Sequence, residues 1–309
     1  MTTTHSEPRV LIDALKFGEG PRWHGDRLYF SDMHAGTVHT VDLDARLETL
    51  AEVPNSPSGL GFDPEGRMLV VSMQDQKVLR SSRPVKPGEH VELEPFADLS
   101  RFTSTRCNDM VVDAQGRAYV GNFGFGLFSK EEPRTTCLVL VERDGSARVV
   151  ADGVLFPNGM VITPDGRTLI VAETFGMRLT AFEIGSDGGL SKRRVFAQFD
   201  RVFPDGICLD AEGCVWVANP TPPGGFVRVA DGGVIREQLS AQAEVDAPAP
   251  PGAFANGEKG RAGYACMLGG PERRTLFMLE GFSSRPADAV VGNARIRCVE
   301  VDVPGAGRP

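Results

Sequence analysis

Four oxygen-bearing side chains stand at the same position of a repeated sequence segment. They are Glu19, Asn108, Asn158 and Asp205. Carboxylate and amide oxygens that converge on one point form a binding site for a hard or borderline divalent cation. Two carboxylates would offset the +2 charge, and two amide oxygens would complete the coordination shell. An Asn or Asp before Gly is also a common turn pair, so the hypothesis of a metal site depends on the shared register.

The elements that would position these side chains follow from the repeat itself. Each copy is a short apolar strand, a turn that contains Asp, Pro or Gly, and a second apolar strand. The clearest copies span residues 59–72, 109–122, 159–173 and 206–219, and fainter copies span 20–32 and 265–279. A strand-only repeat of about 40 to 50 residues is typical of β-propeller blades. Because one blade cannot bury both of its apolar faces alone, the six copies predict an all-β, six-bladed propeller.

The first strand of each propeller blade lines the central channel, so equivalent residues of the six blades form a ring. In this chain the ring comprises Glu19, Ser58, Asn108, Asn158, Asp205 and Tyr264. None of the six is a Lys or Arg, and four carry a carboxylate or a carboxamide. This pattern predicts a metal site in the central channel on those four residues. Ser58 and Tyr264 occupy the two positions without a strong ligand, which makes them candidates for contact with a substrate.

The whole chain, residues 1–309, is predicted to form a single propeller domain. Either Val10–Leu15 or Arg295–Val303 is expected to close the ring as the outermost strand of the last blade, since this removes a free sheet edge. Residues 241–263 are rich in Ala, Pro and Gly and are interpreted as a loop insertion. A flap over the mouth of the channel is the alternative interpretation of that segment.

The composition restricts the range of partners. A net charge of −8 and a pI of about 5.3 argue against nucleic acid or an anionic membrane. No apolar run reaches the roughly 20 residues of a membrane-spanning helix, and residues 1–9 lack the apolar core of a secretory signal. The six cysteines form no CxxC motif and are interpreted as reduced thiols. We therefore expect a cytoplasmic protein, a monomer or small homo-oligomer, that acts on a small molecule.

Four short segments are similar to a known protein family. They are Phe17-Gly-Glu-Gly-Pro-Arg-Trp, Arg106-Cys-Asn-Asp-Met-Val-Val-Asp, Phe156-Pro-Asn-Gly-Met and Phe203-Pro-Asp-Gly-Ile-Cys-Leu-Asp. Together they resemble the family of senescence marker protein 30, gluconolactonase and luciferin-regenerating enzyme, over nearly the whole chain. The resemblance implies a six-bladed propeller with one divalent ion on the four ring residues with oxygen donors. It also implies that the usual activity is lactone hydrolysis.

A metal ion beside a carboxylate suits the hydrolysis of a cyclic ester. The ion would polarise the carbonyl, and Asp205 is expected to take the proton of the attacking water, a role that the resemblance also implies. Family members that act on sugar lactones contact the substrate with an Arg at the position of Arg106. An ion pair with Asp109 or Asp113 is the alternative for this residue. The four ligands suit Ca²⁺ well, while Zn²⁺, Mn²⁺ and Fe²⁺ tolerate the same set.

The second strand of each copy returns to the same end of the channel, so its last residues are expected at the rim. Asn122, Phe125 and Glu173 are candidates there for substrate contact, and His34 is either an acid–base group or a simple rim residue. Phenylalanines at rim positions are Phe17, Phe102, Phe123, Phe125, Phe156, Phe175 and Phe203. The segment 121–128 lacks the acidic residue that the sugar lactonases of the family carry there. We therefore predict a lactone or related ester that is more apolar than a sugar lactone.

Two other functions fit the same sequence. A metal and a base in a propeller channel also support phosphotriester hydrolysis, or the hydration, elimination or rearrangement of a carbonyl compound. Fold alone does not decide among these reactions. A binding protein whose metal ion is only structural is the second alternative.

Overall fold

The computed structural model describes residues 7–129, 131–221, 224–241 and 260–307. Within these residues the protein has twenty-four strands and two short 3₁₀ helices, Leu127–Ser129 and Pro286–Asp288. The strands form six four-stranded antiparallel sheets, one for each blade of a propeller. The predicted all-β, six-bladed propeller is confirmed. No helix in this part of the chain is long and apolar enough to cross a membrane.

Blades one to three contain strands β2 to β13. Blade one consists of β2 (Gly18–His24), β3 (Arg27–Asp32), β4 (Thr37–Val41) and β5 (Leu47–Glu52). Blade two consists of β6 (Pro57–Phe62), β7 (Arg67–Ser72), β8 (Lys77–Pro84) and β9 (Leu93–Asp98). Blade three consists of β10 (Cys107–Val112), β11 (Ala118–Asn122), β12 (Thr136–Val141) and β13 (Ala147–Val154).

Blades four to six contain the remaining strands. Blade four consists of β14 (Pro157–Ile162), β15 (Thr168–Glu173), β16 (Arg178–Ile184) and β17 (Leu190–Gln198). Blade five consists of β18 (Ile207–Leu209), β19 (Val215–Asn219), β20 (Gly225–Val229) and β21 (Ile235–Leu239). Blade six consists of β22 (Ala262–Gly269), β23 (Thr275–Gly281), β24 (Ala294–Glu300) and β1 (Arg9–Leu15).

The two ends of the chain meet in blade six. β1 pairs antiparallel with β24, with Arg9 opposite Cys298 and Leu15 opposite Ala294. Of the two predicted closing strands, the N-terminal one is therefore the outermost, and the C-terminal one lies between it and β23. This arrangement leaves no blade with a missing outer strand, because the first residues of the chain complete the last blade.

Burial falls from the channel outward. Every residue of β10 and of β14 is buried, as expected for strands covered on both faces, whereas most of β17 is exposed or half-buried. Large apolar side chains fill the spaces between neighbouring blades. One such cluster joins Phe30 of blade one, Trp216 of blade five and Phe277 of blade six. The blades are thus held together mainly by apolar contact between their faces.

The innermost strands approach each other closely around the channel. A Cβ at Gly159 would lie 2.6 Å from the backbone N of Ile207, and one at Gly206 would lie 2.6 Å from the Cα of Ala265. Backbone hydrogen bonds cross between blades at this level, from Gly159 N to Asp205 O (3.2 Å) and from Gly206 N to Tyr264 O (2.8 Å). Only glycine permits such contact between backbones, so these positions bring the ring residues together.

The predicted insertion at 241–263 falls mostly on residues 242–259, which lie outside the described residues. The flap therefore stays a prediction. From Ala262 onward the segment is part of strand β22. All six cysteines are free thiols and are buried, as expected for small apolar residues of the interior.

Candidate metal centre and active site

The four predicted ligand side chains line one cavity of about 290 Å³ at one end of the channel. Glu19, Asn108 and Asn158 are each the second residue of the innermost strand of their blade, and Asp205 lies two residues before β18. The inner strands run in the same direction along the channel, so residues at their beginnings share one mouth. The structure thus brings the four residues together from blades one, three, four and five.

An irregularity in the inner strands coincides with these positions. The pairing of β2 with β3 shifts register between Glu19 and Arg22, and the pairing of β14 with β15 shifts between Pro157 and Met160. The pairing of β10 with β11 shifts in the same way just after Cys107. A register shift of this kind re-aims the side chains within it. It explains how residues inside a sheet present polar groups to the channel.

The amide groups of the two asparagines are oriented by hydrogen bonds on their nitrogen side. Asn108 Nδ2 donates to Pro157 O at 3.0 Å, and Asn158 Nδ2 donates to Thr174 Oγ1 at 3.2 Å. The Thr174 hydroxyl in turn donates to Pro204 O at 2.8 Å. Because the NH₂ groups are engaged with the protein, the carbonyl oxygens of both amides are left as acceptors for the cavity.

The two carboxylates are buried and repel each other. Burial raises the pKa of Glu19 well above its ordinary value, and the charges of Asp205 and Asp109 raise it further. Burial and the charge of Asp109 also raise the pKa of Asp205, although a hydrogen bond from Asn158 opposes this. Arg22 and the Gly20 N–H lower the pKa of Glu19 in part, but they do not offset burial and the neighbouring negative charges. A divalent cation would supply the missing positive charge, so the residues present fit a metal ion.

The donor set is unusual in relying on amides. In the residues that the structure describes, no group of three or more His, Cys, Asp or Glu side chains is placed to hold a metal ion. Any ion at this cavity would therefore use the oxygens of Asn108 and Asn158 beside the two carboxylates. All-oxygen sets of this kind are typical of Ca²⁺ sites.

An ion pair closes the channel beneath the cavity. Arg22 Nη2 lies 2.9 Å from Asp109 Oδ1 and also donates to Met110 O, and Arg22 Nη1 donates to Pro21 O at 2.7 Å. Both side chains of the pair are almost completely buried. Arg22 therefore forms its direct ion pair with Asp109, and only its longer-range charge acts on Glu19.

The wall of the cavity is mainly aromatic. It comprises Phe17, Met33, Phe123, Leu127, Phe128, Phe156, Phe175, Phe203 and Tyr264, with Thr174, Thr221 and Ser284 as polar members. The rings of Phe17 and Tyr264 make an edge-to-face contact with centroids 4.7 Å apart. The rings of Phe156 and Phe175 make the same kind of contact with centroids 5.1 Å apart. These contacts fix the rings against one another. Five of the seven phenylalanines expected at the rim lie in this wall; Phe102 and Phe125 do not.

Two of the predicted substrate residues lie at or near the cavity. Tyr264 is part of the wall. Arg106 lines an adjoining cavity of about 570 Å³, and its guanidinium stands 5.4 Å from the ring centroid of Phe128, which borders both cavities. The alternative ion pair for Arg106 does not form, because Asp109 pairs with Arg22 and Asp113 pairs with Arg117.

The structure places the other four predicted substrate residues outside the cavity wall. Asn122 is buried and uses its amide within the blade, donating to Cys137 O and accepting from Thr103 and Thr136. Ser58 is buried beside blade one, where its carbonyl accepts a hydrogen bond from Ser31. Phe125 packs against Phe156 and Phe175 from behind. Asn122 was predicted at the rim and Ser58 in the ring, and both are buried, whereas Phe125 lines the adjoining cavity together with Arg106.

Glu173 is also displaced from the predicted rim. Its carboxylate is fully buried and accepts hydrogen bonds from Arg178, Arg193, Thr180 and the Leu155 N–H. Burial alone would raise its pKa, but these donors together hold the pKa below the ordinary value. His34 likewise lies outside the wall, with Nε2 3.0 Å from Ser284 O. These contacts are structural.

Several wall residues escaped the sequence analysis. Leu127 and Phe128 form part of a 3₁₀ helix over the cavity, and Thr174 orients Asn158. Phe128 ends the Phe- and Gly-rich run 121–128, which was the one available signal. Thr174 follows Glu173 directly. The sequence analysis therefore identified the correct strand end but selected Glu173, rather than Thr174, as the residue that faces the cavity.

The matching family model covers most of the chain. The model described as SMP-30/Gluconolactonase/LRE-like region matches residues 17–256, which include all four ligand candidates. The chain belongs to the SMP-30/gluconolactonase/LRE-like family. This confirms the resemblance stated above and places the chain in a family of lactonase-type hydrolases.

Named members of the SMP-30/gluconolactonase/LRE-like family include lactonases of different organisms. The chain is 26% identical over 313 residues to 6-deoxy-6-sulfogluconolactonase of Pseudomonas putida, covering 98% of the chain and 95% of that protein. It is 28% identical over 219 residues to pentonolactonase XacC of Haloferax volcanii, covering 68% and 69% respectively.

Solved structures of the SMP-30/gluconolactonase/LRE-like family share the fold. A calcium-binding protein, regucalcin, from Agrobacterium tumefaciens aligns with a TM-score of 0.76 at 21% identity, over 100% of this chain and 98% of that one. A luciferin-regenerating enzyme aligns with a TM-score of 0.75 at 18% identity, over 97% and 98%. At these identities the comparison establishes the propeller alone.

Proposed function

We propose that this chain is a divalent-metal-dependent lactonase that acts on a lactone or related cyclic ester more apolar than a sugar lactone. The observation that carries the proposal is the convergence of two buried, mutually repelling carboxylates with two amide oxygens at the mouth of the channel. Membership of a family of lactonase-type hydrolases supports it.

The metal would be held by Glu19, Asn108, Asn158 and Asp205, and Ca²⁺ is the ion we propose, with Zn²⁺, Mn²⁺ or Fe²⁺ as alternatives. When bound, the ion supplies a Lewis acid that polarises the ester carbonyl. Asn108 and Asn158 contribute fixed oxygens, since their nitrogens are engaged with Pro157 and Thr174.

Asp205 is the proposed general base. A carboxylate oxygen of Asp205 would accept a proton from the water that attacks the lactone carbonyl. The new bond from water oxygen to the carbonyl carbon replaces the ring C–O bond, and the proton held by Asp205 would pass to the departing ring oxygen, which becomes the alcohol of the hydroxy acid product. Asn158, which hydrogen-bonds to the Asp205 carboxylate, would hold it in place.

The aromatic wall supports an apolar substrate. Phe123, Phe156 and Phe175 line the cavity together with the proposed ligands, and no lining residue except the two carboxylates is charged. Such a surface stabilises an apolar ring by contact and desolvation, while it offers few partners for sugar hydroxyls. Arg106, behind Phe128, is proposed to contact a polar group of a substrate that extends past that ring.

The proposal is tested by comparing hydrolysis of an aromatic lactone, dihydrocoumarin, with hydrolysis of gluconolactone, together with metal analysis of the purified protein. We expect a bound divalent ion, loss of turnover with EDTA, recovery on adding Ca²⁺, and a higher kcat/KM for dihydrocoumarin. Faster turnover of gluconolactone would contradict the predicted substrate polarity. Bound metal without turnover of any lactone would contradict the enzymatic function.

A further inference from the structure

The residue that follows the second strand of each blade occupies an equivalent position around the ring. These residues, all within the described part of the chain, are Met33, Met73, Phe123, Thr174, Pro220 and Phe282. Thr174 of blade four is the polar member of this set, and the others are apolar. It is 7% exposed and lines the cavity of the candidate metal centre. A buried hydroxyl needs hydrogen-bond partners, so its contacts indicate why a polar residue stands there.

The backbone of Thr174 is held on both sides, which fixes the place of its hydroxyl. The N–H donates to Phe156 O at 3.2 Å, and the carbonyl accepts from the Met177 N–H at 3.1 Å. Phe123 makes the corresponding backbone bond in blade three, where its N–H donates to Arg106 O at 2.9 Å. The two positions are therefore alike in this backbone contact and differ in the side chain that they carry.

The hydroxyl of Thr174 makes two hydrogen bonds, one as donor and one as acceptor. It donates to Pro204 O at 2.8 Å and accepts from Asn158 Nδ2 at 3.2 Å. A hydroxyl has one proton, and a carbonyl oxygen can only accept, so the proton lies toward Pro204. The hydroxyl oxygen is then an acceptor toward Asn158, and it selects the NH₂ side of that amide. The amide oxygen of Asn158 is thereby left for the cavity.

The two amide ligands reach the neighbouring blade in different ways. Asn108 Nδ2 donates directly to Pro157 O at 3.0 Å, the carbonyl just before the next ligand around the ring. The corresponding carbonyl for Asn158 is Pro204 O, and Asn158 reaches it through the Thr174 hydroxyl. Thr174 thus takes the place of a direct bond from amide to carbonyl between blades four and five.

We propose that Thr174 is a positioning residue of the candidate metal centre, which holds the Asn158 amide with its oxygen toward the cavity and ties this ligand to the backbone that carries Asp205. The inference rests on the proposed metal site and not on the identity of the substrate. Without the hydroxyl, the Asp205 carboxylate, itself a proposed ligand, would be left to orient the amide through its own hydrogen bond with Asn158. An amide that turns its NH₂ group toward a cation supplies no ligand oxygen.

The test measures Ca²⁺ binding by calorimetry on the full-length protein after its metal and the chelator have been removed. Thr174→Val removes the hydroxyl and keeps the branched shape, and the Kd for Ca²⁺ should rise about tenfold or more, as for other partners that orient metal ligands. Thr174→Ser keeps a hydroxyl and should stay within about threefold of the wild type. An unchanged Kd in Thr174→Val would overturn the proposal, as would an equal rise in Thr174→Ser.

Thr40→Val is the matched control. The Thr40 hydroxyl is buried in blade one, where it also donates to a carbonyl, Leu28 O at 3.1 Å, and accepts from a side chain, Arg27 Nε at 3.2 Å. Thr40 is not part of the cavity lining. Thr40→Val should therefore unfold at a lower temperature than the wild type but bind Ca²⁺ with the same Kd. An equal rise of the Kd in Thr40→Val and Thr174→Val would overturn the specific role of Thr174.

If Thr174→Val does not fold, Thr174→Cys takes its place, and its Kd should also rise, because a thiol is only a weak acceptor. An unchanged Kd in that variant would overturn the proposal. The wild type separates this inference from the proposed function. A wild type that binds no Ca²⁺ would refute the metal centre together with the role of Thr174. A wild type that binds Ca²⁺ and hydrolyses a lactone, beside Thr174 variants with the same Kd, would overturn the role of Thr174 alone.

Discussion

At the scale of single residues, the channel holds more negative than positive charge. With Glu19, Asp109 and Asp205 ionised and Arg22 protonated, the local sum is −2. Arg22 is paired with Asp109, so the remaining negative charge belongs to Glu19 and Asp205, the two proposed carboxylate ligands. A dication neutralises this sum, whereas a monovalent cation would leave an uncompensated buried charge.

Asp205→Asn should reduce lactone hydrolysis by about 10²- to 10⁴-fold, because the variant loses its general base and one charged ligand. In the presence of EDTA the same variant should unfold at an equal or higher temperature than the wild type, since a carboxylate that Asp109 repels has become neutral. Initial rates and thermal unfolding measure the two effects. The exposed Asp200→Asn is the control and should match the wild type in both. Full activity in Asp205→Asn would exclude the assigned base.

The sequence was sufficient to find the four ligand candidates but not the residues around them. Glu19, Asn108 and Asn158 share a repeat register, and the repeat encodes the bulged start of each inner strand. Which residues form the rim depends on which side chains turn toward the cavity. Thr174 lines the cavity, whereas the preceding residue, Glu173, does not. That choice is set by Arg193, a partner twenty residues further along the chain that the repeat does not reveal.

At the scale of elements, Glu173 ties three strands of blade four together. It is the last residue of β15, and it accepts hydrogen bonds from Arg178 and Thr180 of β16 and from Arg193 of β17. The carboxylate thereby fixes the end of the blade that carries the Thr174–Asn158 contact. Such a residue acts on the site through the position of its neighbours.

Glu173→Gln should lower the free energy of unfolding at pH 7 by about 1.5–3 kcal/mol, the usual contribution of one hydrogen bond to a charged group. Several such bonds are weakened, but the value is not multiplied because both arginines are partly exposed. The pKa of Glu173 is lowered in the folded state from its ordinary value of 4.5. Its contribution is therefore complete above about pH 4.5 and is lost as the pH falls through the lower folded-state pKa. Urea unfolding of both proteins from pH 7 downward should show the difference shrinking in acid. A difference that stays constant would contradict this role.

Closure of the ring can be tested on a single strand. Leu15 of β1 is 2% exposed and belongs to the apolar cluster of blades five, six and one, whereas Val10 of the same strand is 42% exposed. Leu15→Ala should lower the free energy of unfolding by about 2–4 kcal/mol, because it leaves a cavity in that cluster. Val10→Ala is the control and should change it by less than about 0.5 kcal/mol. Equal effects in urea unfolding would mean that β1 does not seal blade six.

At the scale of the whole molecule, the proposed metal would connect blades one, three, four and five through single side chains. An ion that binds only the folded ring stabilises it by mass action, by about 2.7 kcal/mol at a concentration one hundred times its Kd. The six-bladed architecture and the ring of channel-lining residues were both predictable, because one repeated sequence segment determines the strands and the position of the ring residue within them.

Chelation should therefore lower the unfolding temperature of the wild type, and added Ca²⁺ should raise it in proportion to the logarithm of its concentration above the Kd. Differential scanning calorimetry with EDTA and with graded Ca²⁺ measures this. Asn158→Leu, which removes one oxygen ligand, should show a much weaker dependence on Ca²⁺. The same Ca²⁺ dependence in that variant would contradict the assigned ligand set.

The pairing of β1 with β24 has a consequence for synthesis on the ribosome. β1 emerges about 280 residues before the strand that it must join. At roughly 5–20 residues per second, the first strand waits about 15–60 s for its partner, while the blades between are made in order. The exposed β1 is a free edge during that interval. Closure of the propeller therefore cannot precede the synthesis of β24, however early the blades between the two strands fold.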